Sequence, residues 1–486
     1  MFKSIAAIAM VGLASVANAY PEVDRVHELL NWPQLTFGLY SGYLPVNNSS
    51  KQLHYMGVMS QRDQANDPVI IWFNGGPGCS SMLGFLQEHG PVVLDDGATE
   101  FKQNPYSWNR EANMFYIESP AGVGYSVCPD QSECNFDDDN SADDNLQAVL
   151  TLLQKFPELQ HNDLYLAGES YAGIYVPKLA ERIDAYLTDN ENRTDVYKPN
   201  FKGFMVGNGV TDWRYDTVPA FIEMSVWHGL IKRDLYDRLM QCDFSYFGVN
   251  PTFNLSAECN QAFEDFNTQT QELNVYDVYG QCYIGNQSQT FQQYESFRQT
   301  GFLQSGLEEP SYKKYFTAAD YTPFLNRNFA GKKSLKESPP CVFGDPIIAY
   351  LNNPQVKSQL NIYENSTSWD LCSMINYNSG LNGSVDIYPK LKGKYRMLKY
   401  SGDTDGAVPT LGTLKWINDL NWNITEQYRP YYVYKNDGFR VVAGFTESRE
   451  GNFTFASIHG TGHMAPQWKR QETYHLIFSF INGQAP

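Results

Sequence analysis

Four short apolar runs, each followed at once by a glycine-rich turn or a glycine, constrain the fold of this chain most strongly. They cover residues 69–73, 163–167, 204–206 and 396–400. Such runs are typical of strands that are buried on both faces, as in a parallel sheet. Stretches with helical potential, such as 141–156, separate them. The sequence therefore predicts an α/β fold whose functional residues lie at the carboxyl ends of the strands.

The amino-terminal residues 1–19 predict a secretory signal peptide. Lys3 precedes an apolar run that ends in Ala17-Asn18-Ala19, a pattern of small residues typical of a cleavage site. This run is too short for a comfortable membrane span, and no later run offers the ~18 apolar residues that a transmembrane helix needs. We therefore expect a mature chain of residues 20–486 without a membrane anchor.

One long segment, about 212–338, differs in texture from the rest of the chain. It is rich in Tyr, Phe, Gln and Asn, and strand-like runs of the core type resume only near Lys394. We interpret this segment as a cap inserted into the sheet domain. An independent second domain is the alternative, and either arrangement could supply one wall of a substrate cleft.

Cysteines and glycosylation sequons indicate the secretory route. The chain has 8 cysteines, and Asn-X-Ser/Thr sequons begin at Asn47, Asn48, Asn192, Asn254, Asn286, Asn365, Asn382, Asn423 and Asn452. Disulfides persist and asparagine is glycosylated in that oxidising route. We therefore expect a disulfide-bonded glycoprotein that is secreted or resides in a lysosome or vacuole.

The charge of the chain excludes one class of partner. A formal net charge of −18 at pH 7 leaves no basic face for phosphate groups, which argues against a nucleic-acid partner. The short acidic run Asp137-Asp138-Asp139 predicts a solvated loop.

A candidate nucleophile, Ser170, lies in the motif Gly-Glu-Ser-Tyr-Ala-Gly at residues 168–173. An apolar run precedes the motif and a segment that could start a helix follows it, which is the context of a nucleophile elbow. Gly168 and Ala172 provide the small residues that the tight turn needs, with Ala in place of the usual second Gly. The same near-match also occurs in structural turns, so it needs support from a base and an acid.

Candidates for the base and the acid follow in the order Ser, Asp, His that is typical of hydrolases. Of His459 and His463, which follow a strand-like run, we interpret His463 as the base and keep His459 as an alternative. Asp403 and Asp405 follow an earlier run, and periodicity does not choose between them. A metal site at the two histidines is disfavoured, because glycines separate them and no H-E-x-x-H motif is present.

The run at 72–81 reads Trp-Phe-Asn-Gly-Gly-Pro-Gly-Cys-Ser-Ser and is a very specific signal. Together with the serine, aspartate and histidine motifs in this order, it resembles the serine carboxypeptidases. The resemblance extends from about Gly38 to Pro466 and is weakest in the cap. It implies an α/β-hydrolase fold and a serine-type carboxypeptidase that releases C-terminal amino acids from peptides and proteins through an acyl-enzyme. No metal or organic cofactor is implied.

The resemblance also implies roles for individual residues of the triad. Asp405 would be the catalytic acid beside Ser170 and His463, and Asp403 would be a structural hydrogen-bonder. The backbone N–H groups of Gly76 and Tyr171 would form an oxyanion hole.

A second implied site would hold the α-carboxylate of the substrate, and its members are Asn74, Gly75, Glu88 and Glu169. Two carboxyl groups can bind a carboxylate only if they carry a proton, so acidic pH should favour peptide binding. From the residues alone, Glu88 reads as a surface helix residue. Phe85 and Met464 are candidates for an apolar specificity pocket, or for core packing.

Three disulfides are expected among the 8 cysteines, and Cys282 and Cys372 are left either to pair with each other or to stay free. By resemblance Cys79 pairs with Cys341, whereas Cys128 and Cys134 are close enough in sequence to close a short loop. Cys242 and Cys259 are a plausible pair within the cap, although connectivity does not follow from sequence alone.

Three other functions compete with a peptidase that acts on peptide or protein C-termini. Some members of the resembled family are acyltransferases, and one branch also shields glycosidases in the lysosome as a binding partner. A general esterase or lipase is the third alternative. Asn74, Glu88 and Glu169 favour peptide carboxylates over the first and third. The sequence does not distinguish a monomer from a homodimer.

Overall fold

The computed structural model describes residues 20–46, 49–95, 98, 100–250, 252–280, 345–364 and 366–486. The predicted signal peptide at 1–19, residues 281–338 of the predicted cap and Cys341 lie outside the described residues. Within the described part, no helix is long and apolar enough to cross a membrane.

An eleven-stranded mixed sheet forms the centre of the described part, in the order β1-β2-β3-β7-β4-β9-β10-β12-β15-β14-β13. The pairs β11-β8 and β5-β6 form two small sheets. The strands are β1 Arg25–Val26, β2 Leu39–Pro45, β3 Gln52–Val58, β4 Val69–Phe73, β5 Val92–Val93, β6 Lys102–Gln103, β7 Asn113–Ile117, β8 Asn135–Asp137, β9 Leu164–Glu169, β10 Phe201–Gly207, β11 Asn376–Asn378, β12 Arg396–Gly402, β13 Ile424–Tyr434, β14 Arg440–Arg449 and β15 Phe453–Ile458.

Six neighbouring strands of the sheet, from β7 through β4, β9, β10 and β12 to β15, run parallel to one another. The four apolar runs of the sequence are β4, β9, β10 and β12, which lie side by side. Val, Ile, Leu and aromatic side chains suit strands that are covered on both faces, and every residue of β4 and β9 is buried. The predicted α/β fold is confirmed.

Helices cover both faces of this sheet. They are α1 Asp138–Lys155, α2 Ala172–Asp189, α3 Val218–Trp227, α4 Arg233–Leu239, α5 Ala257–Thr270, α6 Asp345–Leu351, α7 Pro354–Gln359, α8 Ile387–Leu391, α9 Thr410–Asp419, α10 Ala465–Trp468 and α11 Arg470–Ile481. Short 3-10 turns lie at Glu22–Asp24, Trp108–Arg110, Gln131–Glu133 and Pro157–Leu159, and a π-helical turn at Gly84–Glu88.

The acidic run at 137–139 starts a helix and is only partly solvated, which corrects the expectation of a loop. The Asp137 side chain accepts hydrogen bonds from the N–H groups of Asp139 and Asn140 in a capping box. Negative side chains are stabilised at a helix N-terminus, where the first N–H groups lack helical partners. Asp138 is buried.

The chain leaves the sheet after β10 and returns to it at β12, the adjacent strand. Between them, α3, α4 and α5 pack around a small apolar cluster of their own that includes Phe221, Phe263 and Phe266. The segment at 275–278 then returns to the loops that follow the sheet, since Val278 N–H donates to the Thr404 carbonyl at 3.0 Å. This part of the chain therefore lies at the carboxyl edge of the parallel strands.

Candidate active site

Five neighbouring parallel strands each deliver one polar residue to the same edge of the sheet. The strands are β4, β9, β10, β12 and β15, and the residues that follow them include Asn74, Ser170, Asn208, Asp405 and His463. Because the strands are parallel, their carboxyl ends meet, and residues far apart in sequence become neighbours.

Ser170 occupies a sharp turn between β9 and α2. Its φ of 63° is in the left-handed region, which is rare for a residue other than glycine. A Cβ at Gly168 would lie 2.6 Å from the Ala172 Cβ, so side chains on either side of the turn must be small. The Val210 N–H donates to the Ser170 carbonyl at 3.0 Å and ties the turn to the loop after β10. This geometry is that of a strained elbow which exposes a nucleophile.

His463 and Asp405 form a buried pair. Asp405 Oδ2 lies 2.7 Å from His463 Nδ1, and the two side chains are 0% and 2% exposed. The same carboxylate accepts hydrogen bonds from Asn208 Nδ2 at 2.8 Å and from the Ala407 N–H at 2.7 Å. Since a carboxylate only accepts, Nδ1 carries the proton and Nε2 is the basic nitrogen. Within the described residues, Nε2 of His463 has no hydrogen-bond partner.

His459 and Asp403 form a second pair with the same distance and a different environment. His459 Nδ1 lies 2.7 Å from Asp403 Oδ2, and the side chains are 63% and 31% exposed. The Gly460 N–H donates to the other oxygen of Asp403 at 2.7 Å. This pair is exposed to solvent, whereas the pair of His463 and Asp405 is desolvated.

The turn after β4 presses its main chain against the elbow. A Cβ on Gly75 would lie 2.3 Å from the Tyr171 nitrogen and 2.8 Å from the Ser170 Cβ, so no side chain fits there. Gly76 has a φ of 111°, which L side chains rarely adopt. The Cys79 N–H donates to the Gly75 carbonyl at 3.0 Å and holds the turn closed. Two glycines are thus required for the main chain to approach Ser170 closely.

A buried polar cluster lies beside the elbow. Asn74 Nδ2 donates to Glu169 Oε1 at 3.0 Å and to Glu88 Oε1 at 3.3 Å. Asn74 Oδ1 accepts from the Trp72 indole at 2.7 Å and from the Gly84 N–H at 3.1 Å. Those two donors fix the amide so that its NH₂ group faces the carboxyls. Asn74, Glu88 and Glu169 are at most 4% exposed.

Burial makes these two carboxyls weak acids. It raises the pKa of Glu88 to about 7. It raises the pKa of Glu169 well above its usual value, and the nearby charge of Glu88 raises it further. The Oε2 atoms of Glu88 and Glu169 have no hydrogen-bond donor among the described residues. When Glu169 carries a proton, its carboxyl can donate a hydrogen bond to that of Glu88. The pair therefore holds at least one proton at neutral pH.

We compared the chain with protein-family models, with curated proteins and with solved structures. The model of the serine carboxypeptidase family matches residues 30–483. The chain belongs to the serine carboxypeptidase family. It is 33% identical to the lysosomal protective protein of Mus musculus over 98% of this chain and 97% of that protein. It is 32% identical to serine carboxypeptidase-like 20 of Arabidopsis thaliana over 91% of this chain and 90% of that protein.

A solved structure shows the same fold. The prohormone-processing carboxypeptidase Kex1 of Saccharomyces cerevisiae superimposes with a TM-score of 0.67 over 92% of each chain, at 19% identity. The protein is thus an α/β hydrolase and a serine-type carboxypeptidase, as the sequence motifs predicted.

The disulfide that Cys79 forms in the turn after β4 of this serine carboxypeptidase differs from the expected one. Cys79 is joined to Cys372, not to Cys341. The two cysteines lie opposite each other in an isolated antiparallel bridge, in which the Ser373 N–H donates to the Gly78 carbonyl at 2.7 Å. Pairing of distant main-chain segments is invisible in the sequence, which explains the wrong partner. The pairs Cys128–Cys134 and Cys242–Cys259 are formed.

The two specificity candidates lie in different environments. Phe85 is fully buried, with its ring 5.4 Å from those of Trp32 and Tyr116, so it packs in the core. Met464 is partly buried beside Tyr276 and follows His463 in the chain. The packing of Phe85 favours the alternative of core packing, and Met464 remains a candidate for the pocket.

Glu88 is not the surface residue that its neighbours in sequence suggested. It ends the π-helical turn and is 1% exposed. Arg470 donates to the Gln87 and Glu88 carbonyls at 2.6 and 3.1 Å and holds this turn against α11. A five-residue turn without helical periodicity gives no signal for which of its side chains face inward.

Two contributors to the site were not identified from the sequence. Asn208 holds Asp405, and its place in a Gly-Asn-Gly turn directly after a predicted strand is a signal that would have found it. Tyr276 accepts a hydrogen bond from the His463 N–H at 2.7 Å through its carbonyl, and its ring lies 5.0 Å from the imidazole. No local motif marks Tyr276.

Replacing Glu88 by glutamine should change how stability depends on pH. The raised pKa means that the folded state keeps a proton which the unfolded state releases above about pH 4.5, so this stabilising contribution is complete below that pH and is lost as pH rises through 7. Glu88→Gln removes the titration. As pH rises from 4.5 to 7, the free energy of unfolding of the variant should therefore increase by roughly 1–3 kcal/mol relative to that of the native protein.

Urea unfolding at several pH values measures this difference. The exposed Glu264 on α5 provides a matched control, because Glu264→Gln makes the same chemical change at the surface. Parallel pH profiles for native protein and Glu88→Gln would contradict the raised pKa.

Proposed function

We propose that this serine carboxypeptidase removes C-terminal amino acids by nucleophilic catalysis at Ser170. Ser170 Oγ attacks the last peptide carbonyl while His463 Nε2 takes the hydroxyl proton, and Asp405 stabilises the imidazolium. The C–N bond then breaks as His463 returns the proton to the leaving amine, and an acyl-enzyme remains. Water, activated by the same base, hydrolyses the acyl-enzyme. The buried 2.7 Å contact between Asp405 and His463 supports these roles.

The oxyanion of each tetrahedral intermediate would be bound by the N–H groups of Gly76 and Tyr171. The close approach of the turn after β4 to the elbow supports this assignment. Such donors act where charge develops, and the loss of one typically lowers the rate by about 10²–10³.

The cluster of Asn74, Glu88 and Glu169 carries the proposal of exopeptidase specificity. Glu169 directly precedes the nucleophile, so a carboxylate bound at this cluster lies within one residue of the scissile bond. Asn74 Nδ2, the Gly75 main chain and a protonated carboxyl can each donate to it. A neutral acid that donates to a carboxylate makes a strong, charge-assisted hydrogen bond.

Acidic pH should favour the free carboxylate as substrate. Below about 7, the pKa of Glu88, the pair carries enough protons to donate; as pH rises through that value it becomes an anion that repels the substrate. A C-terminal amide carries no charge and should not follow this dependence. The ratio of kcat/KM for the two substrates isolates the effect, since both share the triad.

Hydrolysis of a blocked dipeptide and of its C-terminal amide from pH 4 to 8 tests the proposal. The ratio of kcat/KM, acid over amide, should fall by about 10- to 100-fold across this range, as expected for the loss of one charge-assisted hydrogen bond. In Glu88→Gln, whose amide donates at every pH, the ratio should be nearly flat. A ratio independent of pH in the native enzyme would contradict the carboxylate site, and transfer of the acyl group to an added alcohol in preference to water would indicate an acyltransferase.

We also propose that residues 212–280 belong to a cap over the site. The separate apolar cluster of α3 to α5 and the return of the chain to the sheet loops at 275–278 support the cap.

We propose in addition that the protein travels through the secretory pathway to the lysosome, the vacuole or the exterior. The described sequon asparagines are exposed, as glycosylation requires; they are Asn192, Asn254, Asn382, Asn423 and Asn452. Treatment with an endoglycosidase that cleaves N-linked glycans should lower the apparent mass of the secreted protein.

A further inference from the structure

Asp138 is a buried carboxylate that the proposed mechanism does not use. It is the first residue of α1 and 4% exposed. Its Oδ1 accepts hydrogen bonds from the hydroxyls of Tyr171 at 2.7 Å and Tyr377 at 2.9 Å, and its Oδ2 accepts from the Gly380 N–H at 2.7 Å. Burying a carboxylate is costly unless such donors compensate it. The helix cap is Asp137, so the three donors to Asp138 serve a different purpose, which is to join α1 to the residues that carry them.

One of these donors belongs to the elbow itself. Tyr171 follows Ser170, and its main-chain N–H is a proposed oxyanion donor. The phenol ring is almost fully buried, and its hydroxyl also contacts Ser379 Oγ at 2.7 Å. Burial, and next the charge of Asp138, raise the pKa of Tyr171 well above its usual value, so the hydroxyl stays protonated and donates. The side chain is therefore anchored at its far end.

The other two donors, Tyr377 and Gly380, lie on the segment that follows the disulfide between Cys372 and Cys79. Tyr377 is in β11, which pairs with β8 directly before Asp138. Cys372, five residues before Tyr377, is bonded to Cys79 in the turn that contains Gly76. Hydrogen bonds thus link Asp138 to both halves of the proposed oxyanion hole, directly to the Tyr171 side chain and, through Tyr377 and the Cys79–Cys372 disulfide, to the turn that contains Gly76.

We propose that Asp138 is a positioning residue which holds the Tyr171 N–H at the oxyanion hole through the Tyr171 hydroxyl. The proposal rests on the oxyanion hole given above. A side chain fixed at both ends restricts the rotation of the peptide unit that carries the N–H, and oxyanion donors act through precise placement. Release of the hydroxyl leaves the N–H present and less well oriented. The effect falls on the transition state, where the oxyanion forms, and not on substrate binding.

Two matched variants test this role. Tyr171→Phe and Tyr377→Phe each remove one hydroxyl from the same oxygen of Asp138, but only the first is in the elbow. Tyr171→Phe should lower kcat by roughly 5- to 50-fold with KM within twofold, which is less than the ~10²–10³ for complete loss of a donor. Tyr377→Phe should keep kcat within twofold, since β11 pairing and the Gly380 N–H still hold its segment.

A double-mutant cycle and a second readout complete the test. Asp138→Asn should resemble Tyr171→Phe, and the double variant should be no worse than the more severe single variant. The affinity for a peptide aldehyde, which forms a tetrahedral adduct at Ser170, should fall by the same factor as kcat/KM. Equal effects of the two tyrosine variants, additive effects in the double variant, or an unchanged kcat in Tyr171→Phe would each overturn the proposal.

The rate at which a fluorophosphonate labels Ser170 separates this proposal from the proposed function. This reagent needs the elbow, the base and the oxyanion hole, but no peptide. If the native protein reacts with the reagent and cleaves no peptide, the peptidase assignment fails, and a slower reaction in Tyr171→Phe than in Tyr377→Phe still supports Asp138. Thermal unfolding of each variant checks that the comparison is made between folded proteins.

Discussion

His463→Ala should lower kcat by about 10⁶, the order of loss seen when a triad base is removed, whereas His459→Ala should keep kcat within about twofold. The two histidines lie in the same loop and each contacts an aspartate at 2.7 Å. They differ in burial. Of the two, only His463 is desolvated, and its Nε2 has no hydrogen-bond partner in the described residues, so we expect this ring to take the Ser170 proton.

Steady-state hydrolysis of a blocked dipeptide measures this pair of variants. His459→Ala is the control for the loss of an imidazole from the loop, and circular dichroism checks that both variants fold. A severe loss in His459→Ala with near-native activity in His463→Ala would reverse the assignment of the base. A severe loss in both would mean that the loop conformation, not one ring, limits the rate.

Asp405→Asn should lower kcat by about 10⁴ with little change in KM, because an amide beside Nδ1 favours the wrong imidazole tautomer. In the native protein the Asp405 carboxylate accepts the Nδ1 proton and three further N–H groups, from Asn208, Ala407 and Val408. An asparagine cannot accept at both of its polar atoms. One of these contacts must turn into a clash between donors, and the imidazolium formed in the reaction loses its counter-charge.

Asp403→Asn is the matched control, since it makes the same change two residues earlier in the same turn. Asp403 is 31% exposed and bonded to His459 and Gly460, so we expect at most a small loss of stability and a kcat within about twofold of native. At acidic pH, the dependence of kcat/KM on pH should be the same in Asp403→Asn as in the native protein. Equal losses in the two variants would show that the turn acts as a unit and would remove the distinction between them.

The strands and the tight turn at Ser170 could be predicted from the sequence because they depend on residues that are adjacent in the chain. A run such as Val69–Phe73 has no polar position to place in solvent, and its short length and the glycines that follow it are typical of a buried strand. The tight turn at Ser170 requires Gly168 and Ala172 beside it, and that requirement is written in adjacent residues. The glycine at position 75 of the motif at 72–81 has a local cause as well, since the close approach of Gly75 to the elbow tolerates no side chain.

The wrong expectations share a different cause, which is that burial and pairing depend on distant segments. Asp138 reads as one of three solvated acids, and Tyr171, Tyr377 and Gly380 make it a buried acceptor. Cys79 meets Cys372 because two segments form an isolated bridge, not because of any spacing. Phe85 and Glu88 lie in one short π-helical turn, and such a turn has no sequence periodicity that shows what each side chain contacts.

The sequence by itself predicted the parallel sheet and the tight turn at Ser170, because each depends on residues within a few positions of one another and on sterics that only certain side chains satisfy, and its motifs resembled those of the family to which the chain belongs. The tertiary structure alone decided which aspartate and histidine are desolvated together, which carboxyls lie together beside Asn74, and which buried acid accepts from the Tyr171 hydroxyl. Desolvation and charge coupling arise when separate strands and loops converge, so they are properties of the assembled fold.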